Sequence, residues 1–157
     1  MDTSSKLIPT DQYKMVMDIA PIATVDVLFF NKDKSKTMLF RRVNEPLRGV
    51  YFTMGGRLAK GETFIECALR KAKEELNFTL DPSMLVFAGV QEEIHPNSIF
   101  SGISYHAVDL FYGYILEDDE IIQTLDTQHD DAQWFSVSDE TLHSILKTKL
   151  SQTLKQL

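Results

Sequence analysis

The sequence is poor in cysteine: Cys67 is the single cysteine among 157 residues, so a disulfide bond within the chain is excluded. No apolar run approaches the ~20 residues that a membrane-spanning helix needs. The first residues, MDTSSKLIPTDQYK, lack the apolar core of a signal peptide. Basic residues are also scarce, because 16 Lys and Arg stand against 23 Asp and Glu and give a net charge of −7. A nucleic-acid partner is therefore not expected. We expect a cytoplasmic protein that binds a small molecule and no membrane.

The pattern of apolar residues predicts an α+β fold in one domain over residues 1–157. Hydrophobic residues make up 43% of the chain. Where they recur at helical spacing, they predict helices at 10–18, at 63–76 and after Ser138. Stretches rich in β-branched and aromatic residues predict strands at 22–30, 37–43, 50–54, 84–93, 103–116 and 132–137. The acidic stretch 116–131 is predicted to be mostly loop. This order of elements favours an α/β/α sandwich, with a mixed β-sheet between helices.

One stretch, GGRLAKGETFIECALRKAKEELNF, joins a glycine pair to a highly charged helix. Charges four residues apart face the same side of a helix, so the simplest interpretation is a solvated helix with ion pairs worth ~0.2–0.5 kcal/mol each. Gly55 and Gly56 suggest more, because glycine lets a ligand approach the main chain closely. A main-chain carbonyl there and carboxylates of the helix could together hold Mg²⁺, which prefers oxygen ligands and commonly binds substrate phosphates.

The spacing of these residues resembles the Nudix box, Gly-x5-Glu-x7-Arg-Glu-U-x-Glu-Glu-x-Gly-U, where U is a bulky aliphatic residue. Five positions match the box: Gly56, Glu62, Arg70, Glu74 and Glu75. Three positions depart from it: Lys71 in place of a glutamate, Ala72 in place of the aliphatic residue and Asn77 in place of glycine. The sequence therefore resembles the Nudix hydrolase family, which implies the Nudix fold.

Longer segments resemble one Nudix subfamily, the GDP-mannose mannosyl hydrolases, between about residues 10 and 142. These segments are PIATVDVLFF, LFRRVNEPLRGVYFTMGGRLAKGET and LDTQHDDAQWFS. The resemblance implies hydrolysis of GDP-mannose or GDP-glucose to GDP and free sugar, by water attack on the anomeric carbon. It also implies a homodimer. The roles that it implies are Mg²⁺ (or Mn²⁺) ligation by Gly55, Glu75 and Gln128, catalysis by His129, Arg42, Arg57 and Asp26, and substrate binding by Arg42, Arg57 and Arg70.

The departure at Lys71 leaves alternatives open. A protonated lysine cannot ligate a metal ion, so we expect fewer metal ions than in an ordinary Nudix enzyme. His129 has an unperturbed pKa near ~6.5, which suits a general base, and either Asp130 or Asp131 could orient it. The alternative functions are a nucleotide pyrophosphohydrolase, which attacks phosphorus, and a non-catalytic domain that binds a nucleotide sugar.

Other chemically capable side chains receive ordinary structural interpretations. His95 lies in a loop that contains proline and is predicted to be a surface residue, or at most a substrate contact. His106 alternates with apolar residues and is predicted to be structural. Trp134 is predicted to belong to the core, because the two-residue period of a strand explains it.

Overall fold

The computed structural model describes residues 8–117 and 129–157. The helices of this part are α1 (Thr10–Ile19), α2 (Phe64–Leu76) and α3 (Ser144–Leu154), with a short 3-10 helix at Pro82–Met84. The strands are β1 (Ile22–Phe30), β2 (Lys36–Arg42), β3 (Tyr51–Phe52), β4 (Met54–Arg57), β5 (Val86–His95), β6 (Tyr105–Ile115) and β7 (His129–Ser136). No helix among the described residues is long and apolar enough to cross a membrane.

The strands form one mixed sheet with β1 at its centre. The order is β3-β2-β1-β6-β5, while β4 pairs with β1 and β7 pairs with β2. Strand β1 runs parallel to β6 and antiparallel to β2 and β4. In the β1–β4 pair, Asp26 lies opposite Gly55 and Val25 lies opposite Gly56. The glycine pair is thus part of the sheet, beside the central strand.

Helices cover both faces of the sheet because β1 is apolar on both sides. Val25, Val27 and Phe29 pack in a cluster with residues of α2. Leu28 and Phe30 point the opposite way and pack in a second cluster with α3. This alternation follows from the two-residue period of a strand. The predicted α+β fold, an α/β/α sandwich with a mixed sheet, is confirmed.

Helix α2 has well-defined ends. At its start, Thr63 Oγ1 accepts a hydrogen bond from Glu66 N at 3.2 Å, and Glu66 Oε2 accepts one from Thr63 N at 2.8 Å. This reciprocal capping box satisfies two main-chain donors that the helix leaves unpaired. At its end, Asn77 adopts a left-handed conformation with φ 49°, which asparagine tolerates better than most residues. Asn77 thus ends the helix at the position where the box has glycine.

Four expectations were wrong in detail. The strand predicted at 50–54 is two strands, and β4 continues through Gly55 and Gly56. Helix α3 begins at Ser144, because Asp139 Oδ1 accepts hydrogen bonds from the backbone and hydroxyl of Thr141 and forms a turn instead. His95 is 7% exposed and so is not a surface residue, whereas Trp134 is 41% exposed and so is not a core residue.

Candidate functional site

A cleft of about 320 Å³ opens beside the glycine pair. Its walls carry two kinds of group. The cationic side chains that line it are Arg42, Arg57, Arg70 and Lys71. The carboxylates and hydroxyls that line it include Asp26, Glu74, Glu93, Asp109, Thr24 and Thr53. A site with this lining can bind a ligand that carries both anionic groups and neutral hydroxyl groups.

Each glycine of the pair is required by a side chain that packs on it. A Cβ atom on Gly55 would lie 1.9 Å from Asp26 Oδ1 and 2.5 Å from the main-chain oxygen of Val25. A Cβ atom on Gly56 would lie 2.5 Å from Lys71 Cε. The pair therefore provides space on opposite faces of the sheet, for a carboxylate on one side and for a lysine of α2 on the other.

The carboxylates of Asp26, Glu93 and Asp109 come within 4.8 Å of one another, close enough to ligate one metal ion. The ammonium group of Lys149 lies among them, although its side chain is 0% exposed. Lys149 Nζ is 2.9 Å from Asp26 Oδ2 and 2.7 Å from Asp109 Oδ2, and it also contacts Glu93 Oε1. A buried charge is tolerated when opposite charges surround it. This lysine of α3 therefore supplies the cation for the cluster.

The cluster shifts the proton affinities of its members in different directions. Burial raises the pKa of Asp109 well above its usual value, and the nearby Asp26 charge raises it further. Burial also raises the pKa of Glu93, but His95 and Lys149 outweigh it and lower that pKa to about 2. Burial lowers the pKa of Lys149, yet the three carboxylates raise it well above its usual value. The lysine thus stays protonated, while the raised pKa of Asp109 favours the protonated form of that carboxyl.

Arg70 links the loop before α2 to the helix through hydrogen bonds. Its Nε and one terminal nitrogen donate to the two oxygens of Glu62 at 2.6 and 2.9 Å, and the Glu62 pair raises the pKa of Arg70. The same guanidinium donates to the main-chain oxygen of Arg57 at 3.1 Å and to Glu74 Oε2 at 3.2 Å. Arg70 lines the cleft, but these contacts give it a positioning role. Its predicted role in substrate binding stays a prediction.

The other two predicted arginines have fewer charged contacts. The Arg57 guanidinium stacks on the ring of Tyr13, 4.4 Å from its centroid. Arg42 Nε donates to the main-chain oxygen of Pro46 at 2.7 Å. Arg42 lines the cleft and its neighbour Arg41 is exposed, as strand alternation predicts. Both Arg42 and Arg57 present positive charge to a ligand in the cleft.

The two predicted metal ligands that the structure describes, Gly55 and Glu75, do not form an open site for a metal ion. Gly55 lines the cleft, but the Glu75 side chain is 0% exposed and its Oε1 lies 2.5 Å from Lys71 Nζ. Lys71 reaches both the cleft and Glu75. A divalent ion on this carboxylate would have to displace the ammonium, so the residues as placed do not fit Mg²⁺ at Glu75. The third predicted ligand, Gln128, lies outside the described residues, and the magnesium site stays a prediction.

The predicted base lies on the strand at the rim of the cleft. The backbone of His129 pairs with that of Arg42, a cleft residue, on the neighbouring strand. Of the two aspartates that could orient His129, Asp131 accepts hydrogen bonds from the hydroxyl of Tyr51 and, at 2.8 Å, from Gln133 Nε2. The roles predicted for His129 and Asp26 remain predictions.

Several members of the buried cluster are not predicted from the sequence. Glu93, Asp109 and Lys149 come from three elements that are distant in sequence, so no local motif joins them. One signal was present: Lys149 falls between Leu146 and Leu150 on the apolar stripe of the last helix. A lysine at a core position needs a buried partner.

These features define a class of protein: an α/β/α sandwich whose strand–loop–helix segment borders a cleft lined by cations and carboxylates. Comparison with known proteins agrees with this class. A family model described as NUDIX domain matches residues 20–156. The chain belongs to the Nudix hydrolase family.

Known proteins similar to the chain include one relative that matches over almost its full length. The chain is 30% identical over 150 residues to a Haloferax volcanii protein described as low-salt glycan biosynthesis protein Agl8, covering 95% of this chain and 92% of that protein. Among solved structures, the NUDIX domain of Shewanella oneidensis NrtR complexed with ADP ribose aligns with TM-score 0.66 and 19% identity, over 94% of this chain and 98% of that one. A MutT NUDIX hydrolase from Burkholderia pseudomallei aligns with TM-score 0.65 and 18% identity, over 84% and 97%. These two likenesses concern the fold.

Proposed function

We propose that the protein hydrolyses a nucleoside diphosphate sugar, most simply GDP-mannose or GDP-glucose, to the nucleoside diphosphate and free sugar. One observation carries this proposal: a single cleft joins cationic side chains to a group of carboxylates and hydroxyls. Such a substrate has the same two parts, an anionic diphosphate and a sugar rich in hydroxyl groups. The similarity to a protein described as acting in glycan biosynthesis supports a sugar-containing substrate.

The cationic wall suits the leaving group. When the bond between the anomeric carbon and the diphosphate breaks, negative charge grows on the diphosphate oxygens. Fixed positive charges aimed at those oxygens stabilise the transition state more than the ground state. Arg42, Arg57 and Lys71 line the cleft and are the groups that we assign to this task.

The carboxylate wall suits the sugar. Carboxylate oxygens accept hydrogen bonds from hydroxyl groups, and those that line the cleft include Asp26, Glu93 and Asp109. Their positions are fixed by contacts within the protein: Thr24 Oγ1 donates to Asp109 Oδ1 at 2.6 Å, and Lys149 Nζ lies 2.9 Å from Asp26 Oδ2. A preorganised acceptor wall can select a sugar by the orientation of its hydroxyls.

Water must then be activated on the side of the sugar away from the diphosphate. We assign the base to His129, since it follows Gln128 in the Gln-His-Asp-Asp string and its strand borders the cleft through Arg42. Removing a general base typically lowers the rate by ~10²–10⁴-fold.

A panel of nucleotide sugars tests the proposal. The protein is incubated with GDP-mannose, GDP-glucose, UDP-glucose and ADP-ribose, with Mg²⁺, with Mn²⁺ and with EDTA, and the products are separated by chromatography. We expect GDP and free sugar from a GDP-sugar, and a loss of ~10²–10⁴-fold in turnover for His129→Ala. The matched control is His106→Ala, because His106 lies outside the cleft lining and contacts Glu92 at 2.8 Å.

Two outcomes would overturn the proposal. Nucleoside monophosphate and sugar phosphate as products would indicate attack at phosphorus, as in a pyrophosphohydrolase. Binding of a nucleotide sugar without any product, under all three metal conditions, would indicate a non-catalytic binding domain. Full activity of His129→Ala would remove the assigned base while leaving the substrate class intact.

A further inference from the structure

We propose that Lys71 is a tethered cation that occupies the metal-ion position of Glu75 and presents its charge to the substrate's diphosphate. The diphosphate part of this inference rests on the proposed function, whereas the part about the ion position rests on the contact between Lys71 and Glu75 and on the metal-ligand role that the Nudix resemblance implies for Glu75. The inference concerns the lysine that replaces a glutamate of the Nudix box, a residue for which the resemblance supplies no role.

The ammonium of Lys71 contacts the carboxylate of Glu75. Lys71 and Glu75 lie one turn apart on α2, and Lys71 Nζ is 2.5 Å from Glu75 Oε1. The Glu75 side chain is 0% exposed and that of Lys71 is 12% exposed. A carboxylate at such depth needs a cation or strong donors nearby. The ammonium supplies that cation from within the chain.

The fold leaves space for the Lys71 side chain beside Gly56. The stem of Lys71 packs against the main chain of Gly56, where a Cβ atom would lie 2.5 Å from Cε and 3.2 Å from Nζ. A glycine at this place therefore lets the ammonium lie between strand β4 and helix α2. In the same position a glutamate would add negative charge beside Glu74 and Glu75, which is what a site for a divalent ion requires.

The ammonium of Lys71 can also act on a ligand in the cleft. Lys71 lines the cleft together with Arg57 and Arg42. An ammonium has three donor hydrogens, so it can keep Glu75 and Glu74, whose Oε2 lies 3.7 Å away, and still donate to a ligand. One lysine thus neutralises the helix carboxylates and adds to the positive wall of the cleft.

Titration with Mn²⁺ alone tests the ion position without any turnover. We expect no saturable Mn²⁺ site at Glu75 in the wild type. In Lys71→Met we expect one new site, with affinity raised at least about tenfold, since a positive charge next to the carboxylate is removed. Glu75→Gln in the Lys71→Met background should abolish that site. The control is Lys73→Met, which removes the same charge from an exposed position of the same helix and should bind Mn²⁺ as the wild type does.

Further measurements keep the test decisive. Lys71→Gln serves as a second neutral variant should Lys71→Met not fold, and Lys71→Arg, which keeps the charge, should gain no site. Addition of Mn²⁺ should raise the melting temperature of the neutral Lys71 variants and not that of Lys73→Met, because an ion that binds only the folded state stabilises it. A wild-type Mn²⁺ site that Glu75→Gln abolishes would overturn the inference, as would neutral Lys71 variants that gain no site.

Binding of GDP in EDTA tests the diphosphate contact. We expect Lys71→Met to weaken GDP binding about tenfold, the loss of one charge-assisted contact, and Lys73→Met to leave it unchanged. Equal GDP affinity for the wild type and Lys71→Met would refute the diphosphate contact. Failure of GDP to bind the wild type both in EDTA and with Mg²⁺ would instead refute the proposed function, and the Mn²⁺ result would still decide the ion position.

Discussion

Replacing Lys149 by methionine should strongly destabilise the protein. The ammonium is 0% exposed and contacts three carboxylates, with Asp26 at 2.9 Å and Asp109 at 2.7 Å. Removing one partner of a buried ion pair costs about 3–5 kcal/mol, because the remaining charge stays buried. For a chain of 157 residues this corresponds to a melting temperature lower by about 6–20 °C. Urea unfolding at pH 7 measures the change in the free energy of unfolding directly.

The loss of stability in Lys149→Met should depend on pH. In the folded protein the pKa of Glu93 is about 2, below the ~4.3 of an unfolded chain. Wild-type protein therefore has this stabilisation above the unfolded pKa and loses it as the pH falls towards the folded one. His95 and Lys149 together lower this pKa, and Lys149→Met lacks the second of them, so the difference in stability between wild type and variant should shrink at acid pH.

A matched control separates the cluster from general effects of the substitution. Lys147 lies on the same helix, but its side chain is 42% exposed and its partner Glu140 is 91% exposed. Lys147→Met should cost less than about 1 kcal/mol, as for other surface ion pairs. Equal effects of the two substitutions, or a Lys149→Met penalty that does not change between pH 7 and pH 3, would refute the assignment of Lys149 as the cation of the cluster.

Three further predictions concern the glycine pair and helix α2. Gly55→Ala should lower the free energy of unfolding by about 3 kcal/mol or more, and Gly56→Ala should lower it by less. The reason is that a Cβ atom on Gly55 meets a main-chain oxygen, whereas one on Gly56 meets the end of the flexible Lys71 side chain. Urea unfolding of both variants measures the two losses, and a larger loss for Gly56→Ala would contradict the prediction. Cys67, whose pKa burial and the nearby Glu62 raise to about 12, should react slowly with iodoacetamide at pH 8; reaction at the rate of a free thiol would contradict its burial. Arg70→Lys should cost about 1.5–3 kcal/mol of stability because the bidentate contact with Glu62 is lost. Thermal unfolding measures this cost, and an unchanged melting temperature would exclude that contact as a stabilising one.

The sequence predicts the features that depend on local periodicity. The β-branched and aromatic residues of 22–30 predict β1 with the bounds that the structure has, Ile22–Phe30. The helical stripe of 63–76 predicts α2, which runs from Phe64 to Leu76 after the cap residue Thr63. The Nudix box is also a local pattern, so its resemblance correctly indicated the family. Such elements are predictable because the residue pattern that indicates each of them lies within one short stretch of the chain.

Features that depend on contacts between distant segments could not be predicted. Asp26, Glu93 and Asp109 lie on three strands, and only the pairing of the sheet and the packing of α3 bring Lys149 among them. The proline after His95 predicts a surface loop, yet His95 ends β5, is buried and lies 3.7 Å from Glu93. The space that the glycine pair leaves for a carboxylate and for a lysine likewise depends on packing that no single stretch encodes.

Hydrolysis of the preferred GDP-sugar in water enriched in ¹⁸O tests the central claim most directly. Attack at the anomeric carbon places the heavy oxygen in the free sugar and leaves the GDP unlabelled, which is the result that we predict. Label found in GDP, in a nucleoside monophosphate or in a sugar phosphate would contradict the claim, because water would then have attacked phosphorus.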